Sequence, residues 1–173
     1  MTALPTLQDL LDPRGRASRS GLLTVALLLM SADVAAVAVI MTTGAAFAGL
    51  GALAFKLVSI WVATVGVIKR LHDLELSGWW VAKGLVAVAG WSVVVAMLLL
   101  TRFDAADALN PAHAAFWINL TATAVPMLAA LIWLHLAHAT PGPNRFGAEP
   151  GVRGFSSPET EGATPQIGAA PFA

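Results

Sequence analysis

Cysteine is absent from this chain of 173 residues, which excludes disulfide staples, thiolate metal sites and cysteine nucleophiles. Charge is scarce too. Asp, Glu, Lys and Arg make up 12% of the residues and cancel to a formal net charge of zero. No global field therefore draws the chain to nucleic acid or to an acidic partner, and any electrostatic preference must be local. Three catalytic signatures are missing: there is no glycine-rich phosphate loop, no His-Glu-x-x-His helix and no Gly-x-Ser-x-Gly turn. His72 beside Asp73 makes no dyad, because adjacent residues rarely point at one another and no nucleophile accompanies them. The sequence reads as a non-enzyme that needs neither a cofactor nor a metal.

Apolar residues are abundant, at 57% of the chain, which is too many for a soluble domain of this length. Four stretches, 21–41, 46–68, 79–100 and 115–138, reach the roughly 20 apolar residues that cross a bilayer as a helix. Lipid cannot satisfy exposed backbone groups, and the alternation of barrel strands is absent, so helix is the only realistic reading. The expected fold is all-α, a polytopic four-transmembrane-helix bundle with short loops. Thr42-Thr43-Gly44-Ala45 reads as a tight turn between antiparallel neighbours. No polar block is large enough for a second folded domain. The expected organisation is an N-terminal segment over 1–20, a membrane domain over 21–150 and a tail over 151–173.

Basic residues near the membrane ends set the orientation, since Lys and Arg in short loops stay on the cytoplasmic side. Arg14, Arg16, Arg19, Lys69, Arg70, Arg145 and Arg153 fall on one side and Arg102 on the other, which places both termini in the cytoplasm. Trp79, Trp80 and Trp117 fit the headgroup boundaries, whereas Trp61 and Trp91 lie deeper and read as packing. A cleavable leader at Ala46-Phe47-Ala48 is not expected, because the apolar run before it is far longer than a signal core. Leu4, Leu7, Leu10 and Leu11 share a helical face, with Thr6 and Asp9 as a capping signature and Pro13 as a stop, as for a short helix on the membrane surface. Beyond Pro150 the Gly, Ala, Pro, Ser and Thr content predicts disorder.

Three motifs occur in order between these helices. Gly15-Arg16-Ala17-Ser18-Arg19 precedes the first span. Arg70-Leu71-His72-Asp73 with Ser77-Gly78-Trp79-Trp80 precedes the third. Thr140-Pro141-Gly142-Pro143-Asn144-Arg145-Phe146-Gly147-Ala148-Glu149-Pro150 follows the last. Over roughly Arg14 to Pro150 the chain resembles the bacterial inner-membrane family catalogued as domain of unknown function 805. The resemblance implies a multi-pass protein of the inner (plasma) membrane and brings no established activity. Where that family has aromatic residues after the first arginine pair, this chain has Gly21-Leu22, and Glu75-Leu76 stand where it has Gly-Arg.

The motif residues Arg16, Arg19, Arg70, His72, Asp73, Ser77, Gly78, Trp79, Trp80, Asn144, Arg145 and Gly147 form the first candidate site. Guanidinium groups bind phosphate through paired hydrogen bonds, and a Pro-Gly-Pro-Asn turn can present outward amides. One reading is a pocket for an anionic lipid headgroup or a protein partner. The other treats the arginines as topology signals, with Asp73 paired to a neighbouring arginine and the turns tying loops together. Asp33 and Lys56 form the second candidate, an intramembrane charge pair on adjacent helices, structural in one reading and a proton or ion relay in the other. Ala45, Ala48, Gly49 and Ala52 would let those helices approach. Pro126 frees the carbonyl of Ala122 beside Asn119, Thr121 and Thr123. His135 and His138 share a helical face but have no third ligand. Lys83 can snorkel to the headgroups. The expected role is binding or scaffolding, with membrane lipids, a protein partner or a second copy as partners. The alternative is a small transporter or channel subunit built on Asp33 and Lys56.

Overall fold

The computed structural model describes residues 5–43, 50–151 and 154–156. Six helices follow one another: α1 (Leu7–Leu11), α2 (Arg19–Thr43), α3 (Leu50–Asp73), α4 (Trp79–Leu100), α5 (Ala105–Leu109) and α6 (Ala114–Leu136). No strand occurs among the described residues, which carry two isolated bridges, Ala17 to Phe155 and Asn144 to Gly147. Four of the helices, α2, α3, α4 and α6, are long and apolar enough to span a bilayer. In their apolar windows 17% of residues at most are buried against the rest of the chain, so the apolar surface left bare needs lipid as its solvent.

Helix boundaries depart from the apolar runs in an informative way. Hydropathy ends the second span near Ile68, yet α3 continues through Asp73. The backbone bonds of a helix are internal, so it need not stop where the lipid does. Arg70 and His72 in the last turn also suit the negative end of the helix dipole. At the other end of the chain α6 stops at Leu136, and Ala137 turns out of helical geometry. His138 therefore lies beyond the helix, and the shared face expected for His135 and His138 does not form.

Contacts divide the chain into two compact units: residues up to Glu75 with those from Ala139 onward, and 76–138. In the first unit α2 and α1 both pack on α3. Its core gathers Ala17, Val25, Val62 and Phe155, with Leu10 and Leu29 against them. Thr6 and Asp9 complete a capping box on α1. Two polar ties hold α1 along α3: Trp61 Nε1 donates to the Leu11 carbonyl at 3.1 Å and Lys69 Nζ to the Asp9 carbonyl at 2.9 Å. The turn at Gly44-Ala45, the small residues Ala45, Ala48 and Gly49, and Arg153 lie outside the described residues. Within them, close approach of α2 and α3 occurs at Gly66, where a Cβ would stand 3.3 Å from Val25 Cγ1.

In the second unit α6 packs on α4 and α5. Pro126 removes the amide that would bond the Ala122 carbonyl, and the Trp91 indole N–H takes its place at 2.8 Å. Trp91, read from the sequence as packing, supplies the donor that the proline lacks. Trp117 similarly donates to the Pro111 carbonyl at 2.9 Å, tying the start of α6 to the loop before it.

Candidate functional site

The buried charges of the first unit gather at the polar end of α3. Arg16, Arg70 and Asp73 retain 0% of their surface and Lys69 1%, which is exceptional for such residues and requires full pairing. Helical geometry puts Arg70 and Asp73, three apart, on one face. Asp73 is the last residue of α3, where the helix dipole disfavours an anion, and two guanidinium groups offset that. Its Oδ1 accepts from Arg16 Nε at 3.0 Å and Nη2 at 2.7 Å, and its Oδ2 accepts from Arg70 Nη1.

Arg16 then reaches past the carboxylate to the segment after α6. Its Nη2 donates to the Thr140 carbonyl at 2.7 Å and its Nη1 to the Gly142 carbonyl, while the Thr140 amide donates to the Asp73 carbonyl at 3.0 Å. A single side chain thus joins three segments far apart in sequence. The Ala17 amide donates to the Lys69 carbonyl at 3.0 Å, a second bond to a carbonyl of the last turns of α3 that ties the N-terminal segment to that helix.

His72 and the Asn144 turn form the flank. His72 Nδ1 lies 3.0 Å from the Gly15 carbonyl, which can only accept, so the proton sits on Nδ1. The imidazole stacks on Phe146 at 4.0 Å with the rings 3° apart, and the Arg145 guanidinium lies over the same phenyl ring at 4.6 Å. Arg145 Nη2 donates to the Glu75 carbonyl at 2.7 Å, and Asn144 Nδ2 to that of His72 at 2.9 Å. The turn closes on itself. Asn144 and Gly147 exchange backbone bonds at 3.0 Å, and the Phe146 amide donates to Asn144 Oδ1 at 2.9 Å. Three of the amides expected to face outward, those of Asn144, Phe146 and Gly147, are consumed within the turn.

Gly154-Phe155-Ser156 complete the cluster, and sequence reasoning missed them. The Arg16 amide donates to Ser156 Oγ at 2.7 Å, the Ser156 amide to the Arg16 carbonyl at 3.0 Å and the Ser18 amide to the Gly154 carbonyl at 2.8 Å. Phe155 is buried, with the Lys69 ammonium 5.5 Å from its ring centroid. Disorder from residue 151 onward does not hold for these three. Buried backbone pairing and one aromatic ring order a short strap inside a composition that otherwise lacks large apolar groups; the tail beyond Ser156 lies outside the described residues. The one available signal was Phe155, an aromatic among small residues.

The motif residues divide between the two units. Arg16, Arg70, His72, Asp73, Asn144, Arg145 and Gly147 come together, and Arg19 opens α2 close by in sequence. Ser77, Gly78, Trp79 and Trp80 belong to the second unit and start α4 there. Gly78 is its N-cap, Trp79 and Trp80 are exposed, and the Lys83 ammonium lies 4.8 Å from the Trp80 ring centroid. Every buried side-chain nitrogen and oxygen among the described residues has a hydrogen-bond partner, so the cluster is closed. Its chemistry is that of a fastener, with no donor left aimed at an empty space.

Bilayer-length apolar helices with a closed charge cluster at one polar end define a multi-pass helical membrane protein. Residues 10–148 match the model of the family described as Protein of unknown function (DUF805), and the chain belongs to that family. No curated protein and no solved structure matches it.

Proposed function

We propose that the chain is a non-catalytic binding or scaffolding component of a bacterial inner membrane, with both termini cytoplasmic and its basic end at the headgroup layer. One observation carries this reading: Arg16 and Arg70, fully buried, are turned on Asp73. A catalytic or transport centre keeps groups that change partners. These side chains are used to fix the N-terminal segment, the end of α3 and the segment after α6 as one rigid platform.

The rim of that platform is what meets a ligand. Arg14 and Arg145 are exposed, and Arg145 is held by Phe146 and the Glu75 carbonyl. A guanidinium already oriented loses less freedom on binding a phosphate, which favours anionic lipid headgroups as its target. The inward excess of Arg and Lys supports the orientation.

Native mass spectrometry of the protein released gently from its own membrane tests the reading. Wild type should retain anionic lipid, and Arg14→Ala/Arg145→Ala should lose it while still melting cooperatively, within a few degrees of wild type as loss of one exposed bond to the Glu75 carbonyl implies. Adducts that survive the double substitution, or a wild type carrying none, would refute headgroup recognition. Transport through Asp33 and Lys56 has in its favour that the two charges meet, but the Thr24, Ser31, Thr42 and Thr64 hydroxyls along α2 and α3 each donate to a carbonyl of their own helix and offer no relay.

A further inference from the structure

We propose that the face of α2 and α3 bearing Asp33 and Lys56 is an interface with a second, parallel copy of this chain. Lys56 Nζ donates to Asp33 Oδ1 at 2.6 Å, joining the two helices at one depth. At 1.5 Å per residue Asp33 lies about 21 Å from Arg19, and Lys56 about 21 Å from Arg70, so the pair sits well inside the apolar span. It is not enclosed, for the Lys56 and Asp33 side chains keep 58% and 44% of their surface. Beside the pair runs a cleft of about 530 Å³ lined by Ala32, Ala35, Ala36, Gly51, Ala52 and Phe55.

Bare charge is expensive among acyl chains, and small residues let another helix backbone come close. Charge complementarity identifies the occupant as a second copy. Parallel copies in one membrane are related by a two-fold axis along the membrane normal, which preserves depth and exchanges left with right. Asp33 of one copy then faces Lys56 of the other, and Lys56 faces Asp33, so the two ion pairs close into a ring of alternating charge. An acyl chain or a neutral helix would cover the pair without answering either charge. This inference is independent of the headgroup reading, which concerns the opposite end of the same helices.

The chain has no cysteine, so single cysteines at Ala32, Ala35, Ala36 or Ala52 can be oxidised in native membranes without other thiols in the protein. At least one of the four should give a disulfide-linked dimer. A second experiment co-expresses Asp33→Lys and Lys56→Asp with different tags. Each variant alone would bring four like charges together, whereas the mixed pair sets opposite charges face to face. Capture of one variant by the other should exceed self-capture by about tenfold. No crosslink at any of the four positions overturns the proposal, as does mixed capture no greater than self-capture. If either charge variant fails to accumulate, crosslinking alone decides. A cover supplied by residues 76–138 of the same chain would leave both readouts at background and likewise overturn it.

Discussion

Asp73→Ala strikes the cluster where the cost is greatest. The substitution leaves Arg16 and Arg70, both fully buried, without the carboxylate they share. Deleting one partner of a buried ion pair costs about 3–5 kcal/mol, because the surviving charge stays desolvated and uncompensated. Two charges are stranded here, which pushes the cost upward. Arg16 keeps its bonds to the Thr140 and Gly142 carbonyls, and removing an anion from the end of α3 returns about 0.3–1 kcal/mol, which pull it back. A working figure of about 4 kcal/mol is a large share of the roughly 5–15 kcal/mol that holds a domain together. It corresponds to a melting temperature lowered by roughly 10 °C. Tryptophan fluorescence on heating in mild detergent reads this directly. The companion variant Arg16→Met/Arg70→Met/Asp73→Leu removes all three charges and should recover to about 2 kcal/mol below wild type, since apolar replacement of a whole buried ion cluster is often neutral and what remains lost is the pair of bonds from Arg16 to the Thr140 and Gly142 carbonyls. A loss below about 3 °C for Asp73→Ala, or a triple variant as unstable as the single one, would refute the reasoning.

Three further substitutions test other links. Trp91→Phe should cost about 1 kcal/mol by orphaning the Ala122 carbonyl, and in a Pro126→Ala background, where the helix recovers its own donor, the same change should cost nothing measurable by thermal denaturation. A Cβ on Gly21 would lie 2.4 Å from the Gly154 carbonyl oxygen, so Gly21→Ala should release the strap and let a Ser156→Cys thiol react many-fold faster with maleimide; equal rates in the two backgrounds would sink the idea of a docked strap. His72→Phe keeps a ring on Phe146 and loses only the bond to Gly15, costing about 1 kcal/mol, while His72→Ala loses both and should melt lower; melting points that coincide would show that the stack contributes nothing.

Much of the fold was legible because lipid leaves few choices. Runs of about 20 apolar residues in a chain so poor in charge admit helices and little else, and α4 has the bounds that its composition implies. The Thr6–Asp9 capping box, the carbonyl freed by Pro126 and the meeting of Asp33 with Lys56 were likewise readable, since each follows from local spacing or from the cost of leaving a group unpaired. The content of the polar cluster was not. Nothing local indicates that Arg16 passes the carboxylate to bond the Thr140 and Gly142 carbonyls, because such long-range partners are backbone atoms and backbone is the same everywhere. Gly21 makes the point from the other side. Its missing side chain, set where the family resemblance anticipates aromatic residues, looks like a loss in sequence. In the structure Phe155 brings its ring to 3.3 Å from where that side chain would begin.

Apart from the bonds of Arg16 to two carbonyls, an apolar cluster at the end of α3 would be about as stable as a charged one, so the ion pairs require a reason beyond stability. Their position supplies it. A membrane helix packed only through apolar side chains can slide along its neighbours and sink into the acyl layer, since lipid solvates those side chains as well as protein does. Arg16, Arg70 and Asp73 cannot follow, because each would carry its desolvation cost into a medium without partners. Two ionic ties hold α3 in the first unit, the Asp33–Lys56 pair well inside the span and the Arg16–Asp73–Arg70 cluster at its end, and together they hold its register against both sliding and rotation. On that argument the charge-free triple variant should melt well above Asp73→Ala and yet lose its fixed register. Single cysteines along the last three turns of α3, labelled from water, would show it as a boundary of reactivity that is sharp in wild type and blurred over a turn in the variant. A boundary equally sharp in both would mean that packing alone sets the depth.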